Sequence, residues 1–232
     1  MRENEFGQPV GDDLAWTPPA PVGPVELQGG HCRLVPLAEE HAPALFQELC
    51  VDSPPETWTY LPVGPFAEVE EMVAHVRRLQ ETAGMTPFAI LLPDGRAVGV
   101  ATYLRDEPVH GCVEVGFITM GTTLQRTTAS TEAQVLMARH VFELGYRRYE
   151  WKCDSLNEPS RRAAVRLGFA FEGVFRQAQV VKGRNRDTAW YAVTDGDWPR
   201  VAAAYDAWLA PTNFDGEGGQ LAALAAALRD GR

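Results

Sequence analysis

The segment with the clearest chemical content runs Met120, Gly121, Thr122, Thr123, Leu124, Gln125, Arg126, Thr127, Thr128, Ala129, Ser130, Thr131, Glu132, Ala133. Small and hydroxyl residues here separate an apolar strand pattern from a helical one, in which Leu136, Met137, Val141 and Leu144 share a face. Unpaired N–H groups at a helix start, the helix dipole, neighbouring hydroxyls and the Arg126 charge together favour an anion. Thr127, Thr128 and Ser130 are equally ordinary as turn and capping residues, so the loop alone leaves both readings open. A second helix start follows one strand later. Asn157, Glu158, Pro159 and Ser160 open a short helix bearing Arg161, Arg162 and Arg166, with Gly168 suited to a left-handed stop. These too have the composition of caps; what matters is their position one strand beyond the anion loop.

Other reactive residue types are scattered. Cys32, Cys50, Cys112 and Cys153 form no CxxC or Cys/His zinc spacing, which predicts reduced, mostly buried thiols. The histidines at 31, 41, 75, 110 and 140 lack ligand spacing, so no metal is expected.

The elements that must position these residues can be read from periodicity. A Pro/Gly-rich stretch over residues 1–25 predicts an extended arm, ordered only where it lies on something. A strand follows around Cys32 to Leu37, then helices over Glu39 to Val51 and Glu68 to Thr82, with a rigid aromatic loop, Ser53 to Phe66, between them. Three strands, Thr86 to Leu92, Arg96 to Leu104 and Gly111 to Thr119, form an antiparallel meander whose first turn is Asp94-Gly95. Then helices alternate with strands: Ser130 to Leu144, Arg148 to Asp154, Asn157 to Leu167, Phe169 to Phe175, followed by a last strand, Arg186 to Thr194. Two helices, Trp198 to Leu209 and Gln220 to Leu228, close the chain. The expectation is a single α/β (α+β) domain over 26–200 with a mixed, mostly antiparallel sheet, preceded by the arm and followed by a helical extension over 201–232. The stripe Leu221, Leu224, Leu228 is available to pack on a second copy in a homodimer.

The chain has 232 residues, 45% hydrophobic and 22% charged, an ordinary globular composition. Its net charge of −10 argues against nucleic acid and anionic membrane as partners. The charge is uneven: residues 26–119 carry 5 basic and 14 acidic groups, whereas residues 120–190 carry 12 and 7. The one net-basic block therefore coincides with the two helix starts. No apolar run reaches the roughly 18 residues of a membrane span and the N-terminus has no apolar signal core, so a cytoplasmic protein is expected.

Several ordered blocks together resemble the GNAT superfamily of acyl-CoA-dependent N-acetyltransferases, in its RimJ/RimL-type branch. They are Trp58 to Pro62 through Gly64, Pro65 and Phe66; Glu114 to Phe117; Gln125 to Ala133; Trp151 to Asp154; Asn157 and Ser160 to Ala163 with Leu167 to Phe169, Glu172 and Gly173; and Arg184 to Tyr191. The resemblance spans about residues 26–200. It implies a GNAT-like fold with splayed central strands and acetyl-CoA, or another acyl-CoA, as acyl donor. Main chain at Phe117, Ile118 and Thr119 would hold the pantetheine and polarise the thioester carbonyl. Gln125, Arg126, Thr127, Thr128, Ala129 and Ser130 would hold the pyrophosphate, Asn157 the pantetheine arm, and Arg161 or Arg162 the adenosine phosphates. The family's loop carries glycines where this chain has Thr128 and Ser130; the N–H donors survive that change and two hydroxyls are added.

Transfer to an amine requires a proton acceptor for the ammonium and a partner for the departing thiolate. Attack is direct in a ternary complex, with no role for the cysteines. Glu114, on the same strand face as Gly116 and Ile118 by alternation, is the candidate base, directly or through water; an ordinary strand carboxylate is the other reading. Ser160 is the candidate thiolate partner. Trp58, Tyr60 and Phe66 are candidates for the acceptor wall. The acceptor is left open between a protein N-terminus and a small-molecule amine. A catalytically degenerate acyl-CoA sensor is the alternative function.

Overall fold

The computed structural model describes residues 2–230. A short hairpin, β1 (Arg2–Glu3) and β2 (Pro9–Val10), begins the arm. The rest of the arm, largely exposed, is pinned to the body at a few points. The Trp16 indole N–H donates to the Gly145 carbonyl at 2.9 Å, and the Val22 amide donates to Asp106 Oδ2 at 3.0 Å.

Eight strands form one sheet: β3 (Leu27–Gln28), β4 (Arg33–Pro36), β5 (Met85–Leu91), β6 (Ala97–Glu107), β7 (Cys112–Met120), β8 (Arg148–Asp154), β9 (Ala170–Val181) and β10 (Arg184–Thr194), in the order β3-β4-β5-β6-β7-β8-β10-β9. All neighbours are antiparallel except β7 and β8, which are parallel. That pair needs a crossover, supplied by α3 (Thr128–Glu143).

Alternation along the strands separates two cores. On one face Phe88, Tyr103, Val113, Val115, Tyr149, Trp151 and Tyr191 pack against α3, α4 (Glu158–Arg166), α5 (Trp198–Leu209) and α6 (Leu224–Asp230). On the other, Ala89, Leu91 and Val100 pack under α1 (Ala42–Phe46) and α2 (Val69–Glu81).

Several elements differ from the sequence reading, each for a local reason. The helix expected over Glu39 to Val51 is a succession of one 3-10 turn, the α1 turn and a wide π turn over Gln47–Val51, closed by the Asp52 amide on the Gln47 carbonyl at 2.8 Å. β9 runs six residues past Phe175 because Lys182 and Gly183, both at positive φ, close a two-residue hairpin turn that a Lys-Gly pair does not advertise. The terminal helix starts at Leu224 instead of Gln220. The Asn213 side chain accepts from the Ala222 amide and donates to the Trp208 and Ala222 carbonyls, holding the preceding segment in a non-helical turn. Leu224 and Leu228 pack in the same core as Val201 and Tyr205 of α5, so those two leucines are covered by this chain; Leu221 is exposed.

A buried carboxylate joins the start of the sheet to α3. Glu132 is 6% exposed and accepts the amides of Gly30, His31 and Cys32 at 2.9, 2.7 and 2.9 Å. Removing it strands three donors near the core. Glu132→Ala is therefore expected to lower the unfolding free energy by roughly 2–4 kcal/mol in urea denaturation; an unchanged midpoint would show that water satisfies the turn.

Candidate active site

β7 and β8 pair over only four positions, Cys112↔Arg148 to Val115↔Trp151, although both strands continue. The cause lies in β7. Thr102 of β6 opposes Gly116 and Val100 opposes Thr119, so Phe117 and Ile118 together face the single Ala101. This is a β-bulge, and Phe117 sits at φ 47°, a left-handed conformation uncommon for an aromatic residue. The bulge turns β7 away from β8. Beyond it, each strand keeps its outer partner and presents its inner edge to a wedge-shaped gap. A sheet edge of this kind offers main-chain N–H and C=O groups to an extended, amide-bearing ligand.

Past the gap, β7 leads into the loop at 121–127. Its shape is fixed from outside. Glu48, 3% exposed in the π turn, accepts the Thr123 amide at 2.9 Å and the Thr123 hydroxyl at 3.0 Å, while Ser53 Oγ accepts the Thr122 amide at 2.9 Å. The Glu48 side chain occupies the space a Cβ on Gly121 would take, which is why glycine stands there. Gln125 donates to the Met120 carbonyl at 2.8 Å, and Arg126 reverses the chain at φ 62°. Thr127 caps α3: its hydroxyl accepts the Ser130 amide at 3.2 Å, and Ser130 Oγ donates to the Thr127 carbonyl at 2.7 Å. The amides of Thr128 and Ala129 lie in the first helical turn, with no carbonyl four residues back to receive them.

On the other side of the gap, Asn157 caps α4 by accepting the Ser160 amide at 3.1 Å. Ser160 Oγ accepts the Trp151 indole N–H at 3.0 Å, which leaves its own hydrogen to donate elsewhere. The Cys153 thiol, kept protonated by burial and eased by contact with Ser160, lies beside it. Arg161 is turned onto the sheet, with Nε donating to the Tyr191 hydroxyl at 3.2 Å and a terminal nitrogen to the Ser155 carbonyl at 3.2 Å. Arg162 is paired with Glu158 on the exposed side of α4.

Glu114 sits at the closed end of the gap, 8% exposed. Its Oε2 accepts from Lys152 Nζ at 3.0 Å, and its Oε1 lies toward Gly116, the last residue before the bulge. Burial raises its pKa above the ordinary carboxylate value, against the opposing pull of Lys152 and Arg105.

The aromatic loop between the first two helices roofs one side. Trp58 is 2% exposed; its indole donates to the Leu49 carbonyl at 3.0 Å and Phe66 meets it edge-on at 5.2 Å between centroids. These two rings build the loop. Tyr60, half-buried, reaches across to the Leu156 carbonyl at 3.1 Å, next to the α4 start. Lys182, at the β9–β10 turn, donates to the Trp58 and Gly64 carbonyls at 3.0 and 3.1 Å. Both ties run to the β8–β10–β9 side of the gap.

Glu114, Phe117 to Thr119 and Gln125 to Ser130 lie along and after β7, and Asn157 and Ser160 after β8, on the two sides of the gap, with Tyr60 reaching the α4 start. The structure places Trp58 and Phe66 behind the loop, and the guanidinium groups of Arg161 and Arg162 on protein partners. Sequence reasoning missed Glu48, Lys152 and Lys182. Glu48 had a signal: a carboxylate three residues after Leu45 on the apolar side of its helix. Lys182 had none, since its partners are backbone carbonyls over a hundred residues away. Among the described residues, no group of three or more His, Cys, Asp or Glu side chains is arranged to hold a metal.

An acetyltransferase (GNAT) domain model matches residues 31–170. The chain therefore belongs to the GNAT family and is an N-acetyltransferase. A GCN5-related N-acetyltransferase from Brucella melitensis superposes with a TM-score of 0.89 at 41% identity, covering 93% of this chain and 99% of that one. A probable GNAT-family acetyltransferase from Chromobacterium violaceum gives 0.77 at 36% identity, covering 83% and 98%. The ribosomal-protein-serine acetyltransferase of Escherichia coli is 24% identical over 161 residues, 67% of this chain and 88% of its own length.

The family uses acetyl-CoA, and the residues present fit it. The free strand edges suit the amides of a pantetheine chain, and the open first turn of α3 suits a pyrophosphate. Because Glu48 alone fixes the Thr123 amide and hydroxyl, Glu48→Ala is expected to raise KM for acetyl-CoA about tenfold, with kcat changed less. Unaltered KM would mean the loop holds its shape without the clamp.

Proposed function

We propose that this enzyme transfers an acetyl group from acetyl-CoA to a primary amine by direct attack within the β7–β8 gap, and that the acceptor is a protein N-terminus. The observation that carries the reaction is the bulge at Phe117, which opens free strand edges directly above a buried carboxylate. The acceptor assignment is supported by the name of the Escherichia coli relative, which gives a ribosomal-protein serine as its target, and reads the amine of such a serine as the N-terminal one.

Bound acetyl-CoA supplies the activated acyl group; the chain's residues do the rest. Glu114, its oxygen directed toward Gly116, takes the proton from the acceptor ammonium directly or through one water. The free amine attacks the carbonyl carbon while amides at Phe117 to Thr119 stabilise the charge growing on the carbonyl oxygen. Ser160, whose oxygen is already occupied by the Trp151 N–H, donates its hydrogen bond to the sulfur as the carbon–sulfur bond breaks, and the proton still on the attacking nitrogen passes to the departing thiolate, leaving an amide and a free thiol. Asn157 and the 125–130 loop hold the remainder of the donor, and Tyr60 lies on the acceptor side.

The pH dependence follows from the sign of the Glu114 shift. A raised pKa keeps the base protonated to higher pH than an ordinary carboxylate, so kcat/KM falls as pH drops through that raised value. Glu114→Gln should lower turnover by about 10²–10⁴-fold near neutrality and abolish this inflection, with the smallest penalty at high pH, where the amine loses its proton unaided. Ser160→Ala and Asn157→Ala should lower turnover in a folded protein. Titration calorimetry with acetyl-CoA, followed by thiol-release assays over N-terminal peptides and small amines, tests the whole reading. Tight binding without release above hydrolysis would favour a sensor, failure to bind would sink both, and turnover of small amines alone would overturn the N-terminal acceptor.

A further inference from the structure

The strand face that carries Glu114 also carries a set of buried charges for which acetyl transfer has no direct use. Register places Glu150 beside Glu114 across the parallel pair, Lys152 beside Trp190 on β10, and Leu104 opposite Glu114 on β6. The Lys152 side chain is only 7% exposed, yet its ammonium is fully engaged. Nζ lies 2.7 Å from Glu150 and 3.0 Å from Glu114, and stands 3.7 Å from the centroid of the Trp190 ring. A buried ammonium flanked by two carboxylates and an indole face has few alternative positions.

We propose that Lys152 is a positioning residue for the proton acceptor: its ammonium holds Oε2 of Glu114, which leaves Oε1 aimed toward Gly116 and the gap and keeps the carboxylate an anion. This rests on Glu114 being that acceptor. The charged groups facing Glu114 are Lys152 and Glu150 from β8 and Arg105 from β6 at 4.0 Å; the uncharged Trp190 indole of β10 stacks under the Lys152 and Arg105 cations. Arg105 is half exposed and at the edge of ion-pair range, so it substitutes poorly for a buried ammonium. Glu150 opposes ionisation of Glu114. Despite its own burial, Glu150 is held ionised by Lys152 and by Arg148, whose Nε lies 2.7 Å away. Two carboxylates therefore share one lysine, and Glu150 has a second cation of its own.

This arrangement predicts opposite effects from the two neighbours. Lys152→Met should move the acid limb of kcat/KM to higher pH, with about a tenfold loss near pH 6 that is recovered in large part near pH 9. Lys152→Arg should restore most of the loss, and Glu150→Gln should move the limb to lower pH. Should Lys152→Met fail to fold, judged by circular dichroism, the arginine variant and the downward shift of Glu150→Gln carry the test. If Lys152→Met leaves the limb in place, or lowers activity equally at every pH without rescue by arginine, Lys152 is structural and the proposal is overturned. Glu114→Gln run in parallel separates the two levels: if it retains the limb, Glu114 is not the base; if it abolishes the limb while the lysine and Glu150 variants leave it unmoved, only the role of Lys152 fails.

Discussion

One extra residue in β7 organises this molecule. With Phe117 in a left-handed conformation, two residues of β7 stand against one of β6, and the strand turns away from β8 after four paired positions. A parallel pair buried on one face by α3, and joined by it, would otherwise continue its ladder, because unpaired main-chain groups in a sheet interior are costly. Here the ladder is left open where an amide-bearing acyl donor can complete it. The cost of the unpaired edges and of the strained Phe117 backbone is offset by the core on the α3 face, in which Val113, Val115, Tyr149 and Trp151 are almost fully buried.

Two buried carboxylates extend this constraint to the loop that follows. Glu48 grips Thr123 and Glu132 grips the turn at Gly30 to Cys32, so the start of α3 is braced from the π turn on one side and from the first strands on the other. A loop held this way keeps the open amides of Thr128 and Ala129 in place without glycines at positions 128 and 130. Under the proposed reading, that bracing takes the place of the family's glycines at the α3 start. The aromatic loop is treated similarly, tied by Tyr60 to the α4 start and, through Lys182 on its Trp58 and Gly64 carbonyls, to the β9–β10 turn.

Much of this was legible in the sequence because the determining signals are local. The 3.6-residue period of α2 and α3, the Asp94-Gly95 hairpin and the Asn157 cap all reflect neighbours in the chain. The splay was expected only through family resemblance; nothing in Val115, Gly116, Phe117, Ile118 announces a bulge, since Phe117 is by composition an ordinary strand residue. The partners of the clamps were illegible for a related reason, although Glu48 itself stands out as a carboxylate on the apolar side of its helix. Glu48 and Lys182 act on backbone atoms 75 and 118 to 124 residues away, and backbone partners leave no complementary residue type to read. The aromatic loop shows the converse limit: its composition marked it as a wall, but only packing distinguishes Trp58, sealed inside, from Tyr60 at the cleft.

The central claim is that the unpaired edges beyond the Phe117 bulge, together with the first turn of α3, form the acyl-donor site. Amide hydrogen exchange measured by mass spectrometry with and without acetyl-CoA tests it most directly. The account predicts that protection on binding concentrates in Gly116 to Thr119, Gln125 to Ser130 and the Asn157 region, with the β5–β6 ladder unchanged. Protection elsewhere, for instance along the groove between α5 and α6 lined by Ala203, Ala207 and Ala223, with none in those segments, would contradict it.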